Sequence, residues 1–262
     1  MAVAATSTVF RDVSTPFAMA HRGGATYAPN AGIENTLRAF ATAWELGHRV
    51  FETDVRASSD GVAVVVHDRR LDRLCGLPVT VADLTWDELS RLRVDAREPL
   101  PRLADLLTAF PGARLNIDVK DDSAVVPTLR AVAAAGAGHR VCLATFSDHR
   151  MRRIRRLAGP GIATSCSSLE VAMLRFGPTG WVRGMAARRG VVAAQVPWRT
   201  RGITIVNAAF VRDAHLLGLQ VHVWTVDDLE AMRTLLDYGV DALITDRIDL
   251  VDCALTGVRP TA

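Results

Sequence analysis

Two short runs of this chain set acids and a histidine where an apolar core would reject them. Phe51-Glu52-Thr53-Asp54-Val55 and Val64-Val65-Val66-His67-Asp68 both read as β-branched, apolar strands, and Ser58-Ser59-Asp60-Gly61 between them is a turn signal. Side chains alternate along a strand, so Glu52 and Asp54 share a face, and folding the ribbon about Asp60-Gly61 sets His67 across from Asp54. Uncompensated buried charge is costly, so a cation, a bound ligand or both is the expected reason for the cluster. Further on, Leu115-Asn116-Ile117-Asp118-Val119-Lys120 brings a third acid and a lysine to a strand end, on one face with Asn116. Carboxylates from separate strand ends form the oxygen-rich surroundings that a hard cation such as Ca²⁺ or Mg²⁺ takes. Near the start, Phe17-Ala18-Met19-Ala20 is a short strand ending in His21-Arg22-Gly23-Gly24, where glycines let ligand and backbone approach closely.

Holding such groups together requires a frame of strand ends, and the apolar pattern supplies one. A helix with Leu37, Phe40, Ala41 and Trp44 on one face ends at Gly47 and leads into a strand from Val50 to Val55. After the His67 hairpin comes a loop-rich section, Arg69 to Glu98, with a short helical piece near Asp83 to Leu92. Helices are then expected at about Pro101–Phe110, Ser123–Ala135, Asp148–Leu157, Leu169–Phe176, Asn207–Leu217 and Leu229–Tyr238. Strands are expected at Leu115–Lys120, Val141–Thr145, Ile162–Thr164, Val191–Val196, Gln220–Val226 and Ala242–Thr245. Roughly eight βα units imply an α/β fold, a (β/α)8 TIM barrel with its site at the C-terminal face and an insertion, about 69–98, after the early strands.

The length of 262 residues and the 49% hydrophobic content suit one domain spanning 1–262. A net charge of +3 is too small to mark a nucleic-acid binder. Cys75, Cys142, Cys166 and Cys253 lack CxxC spacing, so free thiols in a reducing compartment are expected. Met1 to Ser14 lacks a basic segment followed by a long apolar run, and no stretch of ~18 apolar residues follows, so a soluble, cytoplasmic protein without stable membrane insertion is expected. Arg150, Arg152, Arg153, Arg155 and Arg156 crowd one helix, which reads as a solvated face, with contact to anionic lipid the lesser alternative. His48, His139, His149 and His215 are assigned no chemistry.

Taken in order, His21-Arg22-Gly23, Glu34-Asn35-Thr36, Glu52-Thr53-Asp54-Val55, Asp60-Gly61, His67-Asp68 and Trp224-Thr225-Val226 resemble the glycerophosphodiester phosphodiesterase family, which is similar in architecture to phosphatidylinositol-specific phospholipase C. The likeness runs from about residue 17 to residue 250. It implies a TIM barrel in which Glu52, Asp54 and Asp118 ligate a divalent cation, Ca²⁺ or Mg²⁺, and His21 and His67 are the general acid and base. It also implies phosphate contacts from Arg22 and Lys120, a supporting role for Glu34, and a place for Trp224 on the pocket wall beside the substrate's alcohol. A plain core role is the alternative for Trp224, which shares a strand face with His222. Asp118 departs from the family's usual Glu by one methylene, and Pro29 is separated from Glu34 by Asn30-Ala31-Gly32-Ile33 where the family usually has Pro next to Glu.

The expected reaction is metal-dependent hydrolysis of a glycerophosphodiester to sn-glycerol 3-phosphate and an alcohol. Three acids, a divalent cation, Arg22 and Lys120 sum to +1, which a phosphodiester monoanion neutralises. One histidine takes the nucleophile's proton while the other protonates the leaving alkoxide. By analogy with the family, the first nucleophile is the substrate's neighbouring hydroxyl, giving a cyclic phosphate that water opens. The alternatives are a lysophospholipase D or phospholipase-C-like activity on a lipid headgroup, for which Leu74, Leu77 and Leu84 would form an apolar lip, and a non-catalytic phosphodiester-binding barrel, against which intact His21 and His67 argue.

Overall fold

The computed structural model describes residues 9, 10, 12–187 and 190–257. Much of Met1–Ser14, on which the expectation of a leaderless start rests, therefore lies outside the described residues, as does the C-terminal end of the 1–262 range. The first half comprises β1 (Phe17–His21), α1 (Leu37–Glu45), β2 (Val50–Ala57), β3 (Ala63–Val65), α2 (Asp72–Cys75), α3 (Trp86–Ser90), β4 (Arg93–Val94), β5 (Glu98–Pro99), α4 (Leu103–Ala109) and β6 (Arg114–Val119). The second comprises α5 (Val125–Ala134), β7 (Val141–Ala144), α6 (Asp148–Ala158), β8 (Ala163–Ser165), α7 (Ser168–Phe176), α8 (Gly180–Gly184), β9 (Val191–Pro197), β10 (Arg199–Thr200), β11 (Ile203–Thr204), α9 (Ala208–Leu216), β12 (Gln220–Trp224), α10 (Leu229–Asp237), β13 (Ala242–Thr245) and α11 (Val251–Thr256). Strands β1, β2, β6, β7, β8, β9, β12 and β13 pair in parallel in that order, and β13 returns to β1, closing a (β/α)8 barrel.

Register lines up the chemistry. His21 stands beside Glu52, Glu52 beside Asn116, and Asp54 beside Asp118. Packing around the barrel follows from residues that point outward from it: Phe51, Leu115 and Leu143 meet Phe40 of α1, Leu103 and Leu106 of α4 and Ile154 of α6 in one buried cluster. Thr36 caps α1 by accepting from the Ala39 amide, which starts that helix immediately after Glu34 and Asn35 and so fixes where they stand.

The hairpin after β2 differs from the expected pairing by one residue. Val55 faces Val65 and the Val66 amide donates to the Asp54 carbonyl, so His67 lies one place beyond Asp54's partner. The cause is the turn, which closes Ser58 on Val62 through both backbone and hydroxyl rather than pivoting tightly at Asp60-Gly61. The insertion packs a core of its own from Val64, Leu71, Leu74, Leu89, Val94 and Leu100, so it begins at β3, ahead of the expected Arg69. Its helical piece is shorter than expected because the Thr85 and Glu88 capping box starts α3 only at Trp86. The short α2, α8, β4–β5 and β10–β11 elements and the last helix, α11, were absent from the periodic pattern, being too short for a 3.6- or 2-residue period to register.

The closed end of the barrel is plugged from the N-terminal side. Val9 and Phe10 are buried, and the Phe10 ring meets His222 edge-on at 5.0 Å and Phe17 at 5.8 Å. His222 is fully buried, and burial pushes its pKa down to about 3. Neutral imidazole satisfies both neighbours if Nε2–H donates to Gln220 Oε1 at 3.0 Å and Nδ1 accepts from Gln195 at 3.3 Å. The folded pKa lies below the unfolded value near 6.5, so the unfolded chain gains a proton that the native one refuses, and stability falls as pH drops below about 6.5. Between pH 6.5 and 4.5 this amounts to roughly 1 kcal/mol per pH unit, and replacing His222 with Leu should remove that part of the slope in a pH series of thermal melts. A variant whose slope equals that of the wild type would show that His222 titrates in the folded barrel.

Candidate active site

His21 ends β1 and is followed by Arg22 at φ 51° and Gly23 at φ 87°. A Cβ on Gly23 would lie 2.8 Å from the Cβ of Ala39, so glycine is required both for the left-handed turn and for the close approach of α1. The turn brings the Arg22 amide to the Glu52 carbonyl and the Asn35 amide to the Arg22 carbonyl. His21, Arg22, Glu52, Asp54, His67 and Lys120 converge on one cavity of about 310 Å³ at the C-terminal ends of the strands.

Each histidine has one ring nitrogen held by a carboxylate. His21 Nδ1 lies 2.8 Å from Asp246 Oδ1 and its Nε2 lies 3.7 Å from Glu52 Oε2. Burial opposes protonation of His21, but the nearby Glu52 and Asp246 outweigh it and raise the pKa. His67 Nδ1 lies 2.8 Å from Asp68 Oδ1, and the His67 carbonyl accepts from Arg56 Nε at 2.8 Å.

The charged groups form a continuous chain. Arg73 donates to Asp68 through Nε at 2.8 Å and to both oxygens of Glu34 at 2.7 and 2.8 Å; Glu34 in turn accepts from Arg22 Nη1 at 3.1 Å. Arg22 Nε lies 3.1 Å from Asp54 Oδ2 as an ion pair without hydrogen-bond geometry, and that oxygen accepts from Asn35 Nδ2 at 3.0 Å. Lys120 Nζ spans Asp54 at 2.7 Å and Asp118 at 2.6 Å. Burial pushes the Asp54 pKa up, but Lys120 and Arg22 overcome it and hold the carboxyl below its usual value. Glu52 is pushed up to about 8 by burial and by the neighbouring Asp54, which outweigh the opposing charges of His21, Lys120 and Arg22; burial likewise raises Asp118 despite Lys120.

All nine residues expected at the site line the cavity or join this network. Glu34 reaches it only through Arg22 and Arg73, and Trp224, half-buried at the end of β12, meets the exposed Phe146 ring edge-on at 5.4 Å on the cavity wall. Asp246, Asp68, Arg73, Asn35 and Phe146 were not assigned roles from the sequence. Asp246 follows the last barrel strand directly, and an acid at that place is the signal by which it could have been found. Among the five arginines of α6, Arg150 pairs with Asp122, Arg153 donates to the Asp122 carbonyl and Arg155 pairs with Glu170, so three of the five on that expected solvated face are tied to neighbouring elements.

The donor set fits a divalent cation chemically. Glu52 Oε2 and Asp118 Oδ1 are buried carboxylate oxygens without a hydrogen-bond partner, and such hard oxygen donors are what Ca²⁺ or Mg²⁺ takes. As the side chains stand, with Lys120 between Asp54 and Asp118, no group of three His, Cys, Asp or Glu among the described residues is disposed around a common point.

The model of the glycerophosphoryl diester phosphodiesterase family matches residues 21–250. The chain is 43% identical over 237 residues to probable glycerophosphodiester phosphodiesterase 2 of Mycobacterium tuberculosis, covering 89% of this chain and 88% of that protein. It is similar in structure to glycerophosphodiester phosphodiesterase from Agrobacterium tumefaciens, with a TM-score of 0.74, 25% identity and coverage of 93% and 100%. An Oleispira antarctica phosphodiesterase in complex with the product sn-glycerol-3-phosphate shares the fold at a TM-score of 0.74 and 20% identity, over 92% of this chain and 97% of that one.

Proposed function

The chain belongs to the glycerophosphoryl diester phosphodiesterase family and is a phosphoric diester hydrolase, and from that premise we propose that His21 and His67 carry out metal-dependent hydrolysis of a glycerophosphodiester to sn-glycerol 3-phosphate and an alcohol. The observation that carries this reading is the pair of imidazoles lining one cavity, each with Nδ1 held by its own carboxylate, Asp246 or Asp68, and Nε2 left for substrate. Carboxylate contact fixes ring orientation and tautomer, which is what proton transfer at a defined atom needs.

In this reading one Nε2 removes the proton of the attacking oxygen and the other delivers a proton to the leaving alkoxide. By family analogy the first attacking oxygen is the substrate's neighbouring hydroxyl, and water opens the cyclic phosphate with the histidines exchanging roles. Arg22 and Lys120 bind the phosphoryl oxygens and match the negative charge that grows there. Glu52, Asp54 and Asp118 would hold Ca²⁺ or Mg²⁺, which when bound supplies further electrostatic stabilisation of those oxygens. Trp224 and Phe146 border the alcohol.

We also read 1–262 as one domain, the insertion included, because the insertion core shares Val64 with the strand that pairs on β2. A cytoplasmic setting is supported by four unpaired cysteines. Among the described residues no helix is long and apolar enough to cross a membrane. Of the three leucines expected to form an apolar lip for a lipid headgroup, Leu74 is buried in the insertion core, Leu84 packs partly against it and Leu77 is exposed.

The test is release of glycerol 3-phosphate from glycerophosphocholine by protein stripped with chelator and then given Ca²⁺, Mg²⁺ or Mn²⁺ in turn. Turnover restored by a metal is the expected result. Full turnover in the stripped protein would reject metal dependence, and absence of turnover with every metal would move the substrate to lysophospholipids.

A further inference from the structure

Arg73 belongs to the insertion, not to the barrel, yet its guanidinium touches the supports of two site residues at once. Nε donates to Asp68, whose other oxygen holds His67 Nδ1; Nη1 and Nη2 grip both oxygens of Glu34, which holds Arg22. The side chain is 52% exposed, and an isolated pair at such exposure contributes little to stability. Its geometry is what is unusual: one planar fork satisfies two carboxylates that lie 34 residues apart in sequence and that hold two different residues of the cavity wall, Arg22 and His67. The fork is also aimed by packing, because Leu71 and Leu74 on either side of it are buried in the insertion core and the Leu74 carbonyl accepts from the Asp95 amide at 2.7 Å.

We propose that Arg73 is a positioning residue through which the insertion sets His67, by way of Asp68, and Arg22, by way of Glu34, in register with one another. The inference rests on the roles given above to His67 and Arg22. A small misplacement of a proton-transfer group or a phosphate clamp has large kinetic cost, whereas the loss of a half-exposed ion pair has a small thermal one. Lysine cannot replace the fork, since a single ammonium lacks the planar set of donors that meets both carboxylates.

The experiment measures kcat and KM for glycerophosphocholine, with divalent cation present, for Arg73→Ala and Arg73→Lys in the wild type, in Asp68→Asn and in Glu34→Gln. Arg73→Ala should lower kcat/KM on the order of 10–100-fold in the wild type, with a lower kcat and a higher KM, while the melting temperature stays close to that of the wild type. In the Asp68→Asn background its kcat effect should shrink to within about twofold, and in Glu34→Gln its KM effect should do the same. Arg73→Lys should recover at most one of the two effects, and it serves in place of Arg73→Ala if the latter fails to fold. Wild-type kcat and KM for Arg73→Ala, or losses that multiply in full in both backgrounds, would overturn the proposal. His67→Ala, measured alongside, separates the two levels: an inactive His67→Ala with an unaffected Arg73→Ala rejects only the positioning role, and an active His67→Ala rejects the acid/base assignment beneath it.

Discussion

Replacing His21 or His67 with Ala should reduce kcat by about 10²–10⁴-fold, the range that loss of one positioned acid or base produces, while leaving the barrel folded. The two variants should differ in what else they disturb. His67 is 36% exposed in its side chain and touches Asp68, which Arg73 continues to hold, so its removal leaves the neighbouring charges paired. His21 is 13% exposed and stands between Glu52 and Asp246, so its removal takes the nearest cationic partner from a fully buried carboxyl and should cost some thermal stability as well. Asp246→Asn should give a smaller loss than His21→Ala, because an amide still occupies the place beside Nδ1 but no longer favours the imidazolium. Rates and melting curves on the same preparations decide the matter, and near-wild-type turnover by both alanine variants would remove the histidines from the mechanism.

The groups that could be read from sequence were those set by strand periodicity. Glu52 and Asp54, and Asp118 with Lys120, are two residues apart on buried strands, and that spacing alone places each pair on the same side. Closure of the barrel then needed only the βα alternation, with β13 returning to β1. Contacts formed across long loops were not legible. Asp246 meets His21 across 225 residues, and Arg73 meets Glu34 across 39, from an insertion whose path no periodic pattern describes. The hairpin error has a similar origin: Gly61 marked the turn, but the Ser58 hydroxyl, which accepts from the Val62 amide, decided where the strands close. The five arginines of α6 carried a correct charge count and an incomplete environment, since Asp122 and Glu170, which hold three of them, come from neighbouring elements.

Lys120 gives the second large effect, and its sign separates a structural lysine from one that shares its place with a cation. Lys120 Nζ joins Asp54 to Asp118, two carboxyls whose side chains are 1% and 9% exposed. Replacing it with Met preserves the aliphatic stem and removes the charge. Buried carboxylates that lose their partner should cost about 3–5 kcal/mol, far more than loss of a surface pair. Glu52 worsens the balance, because it already lies beside Asp54 and has no lysine of its own. Arg22 then remains as a guanidinium within 3.1 Å of Asp54, too far along the chain of contacts to serve Asp118 as well. A divalent cation held by Glu52, Asp54 and Asp118 would replace the missing charge, so saturating Ca²⁺ or Mg²⁺ should raise the melting temperature of Lys120→Met by more than it raises that of the wild type, while turnover stays low for want of the phosphate contact. Thermal melts with and without cation, read beside calorimetric titration, test this without reference to activity. If neither protein is stabilised by either ion, the three carboxylates are an ion-pair network closed by Lys120 and Arg22, and the metal assignment falls. If the two are stabilised equally, Lys120 and the cation do not compete for the same charge, and the phosphate-binding role is what remains for the lysine.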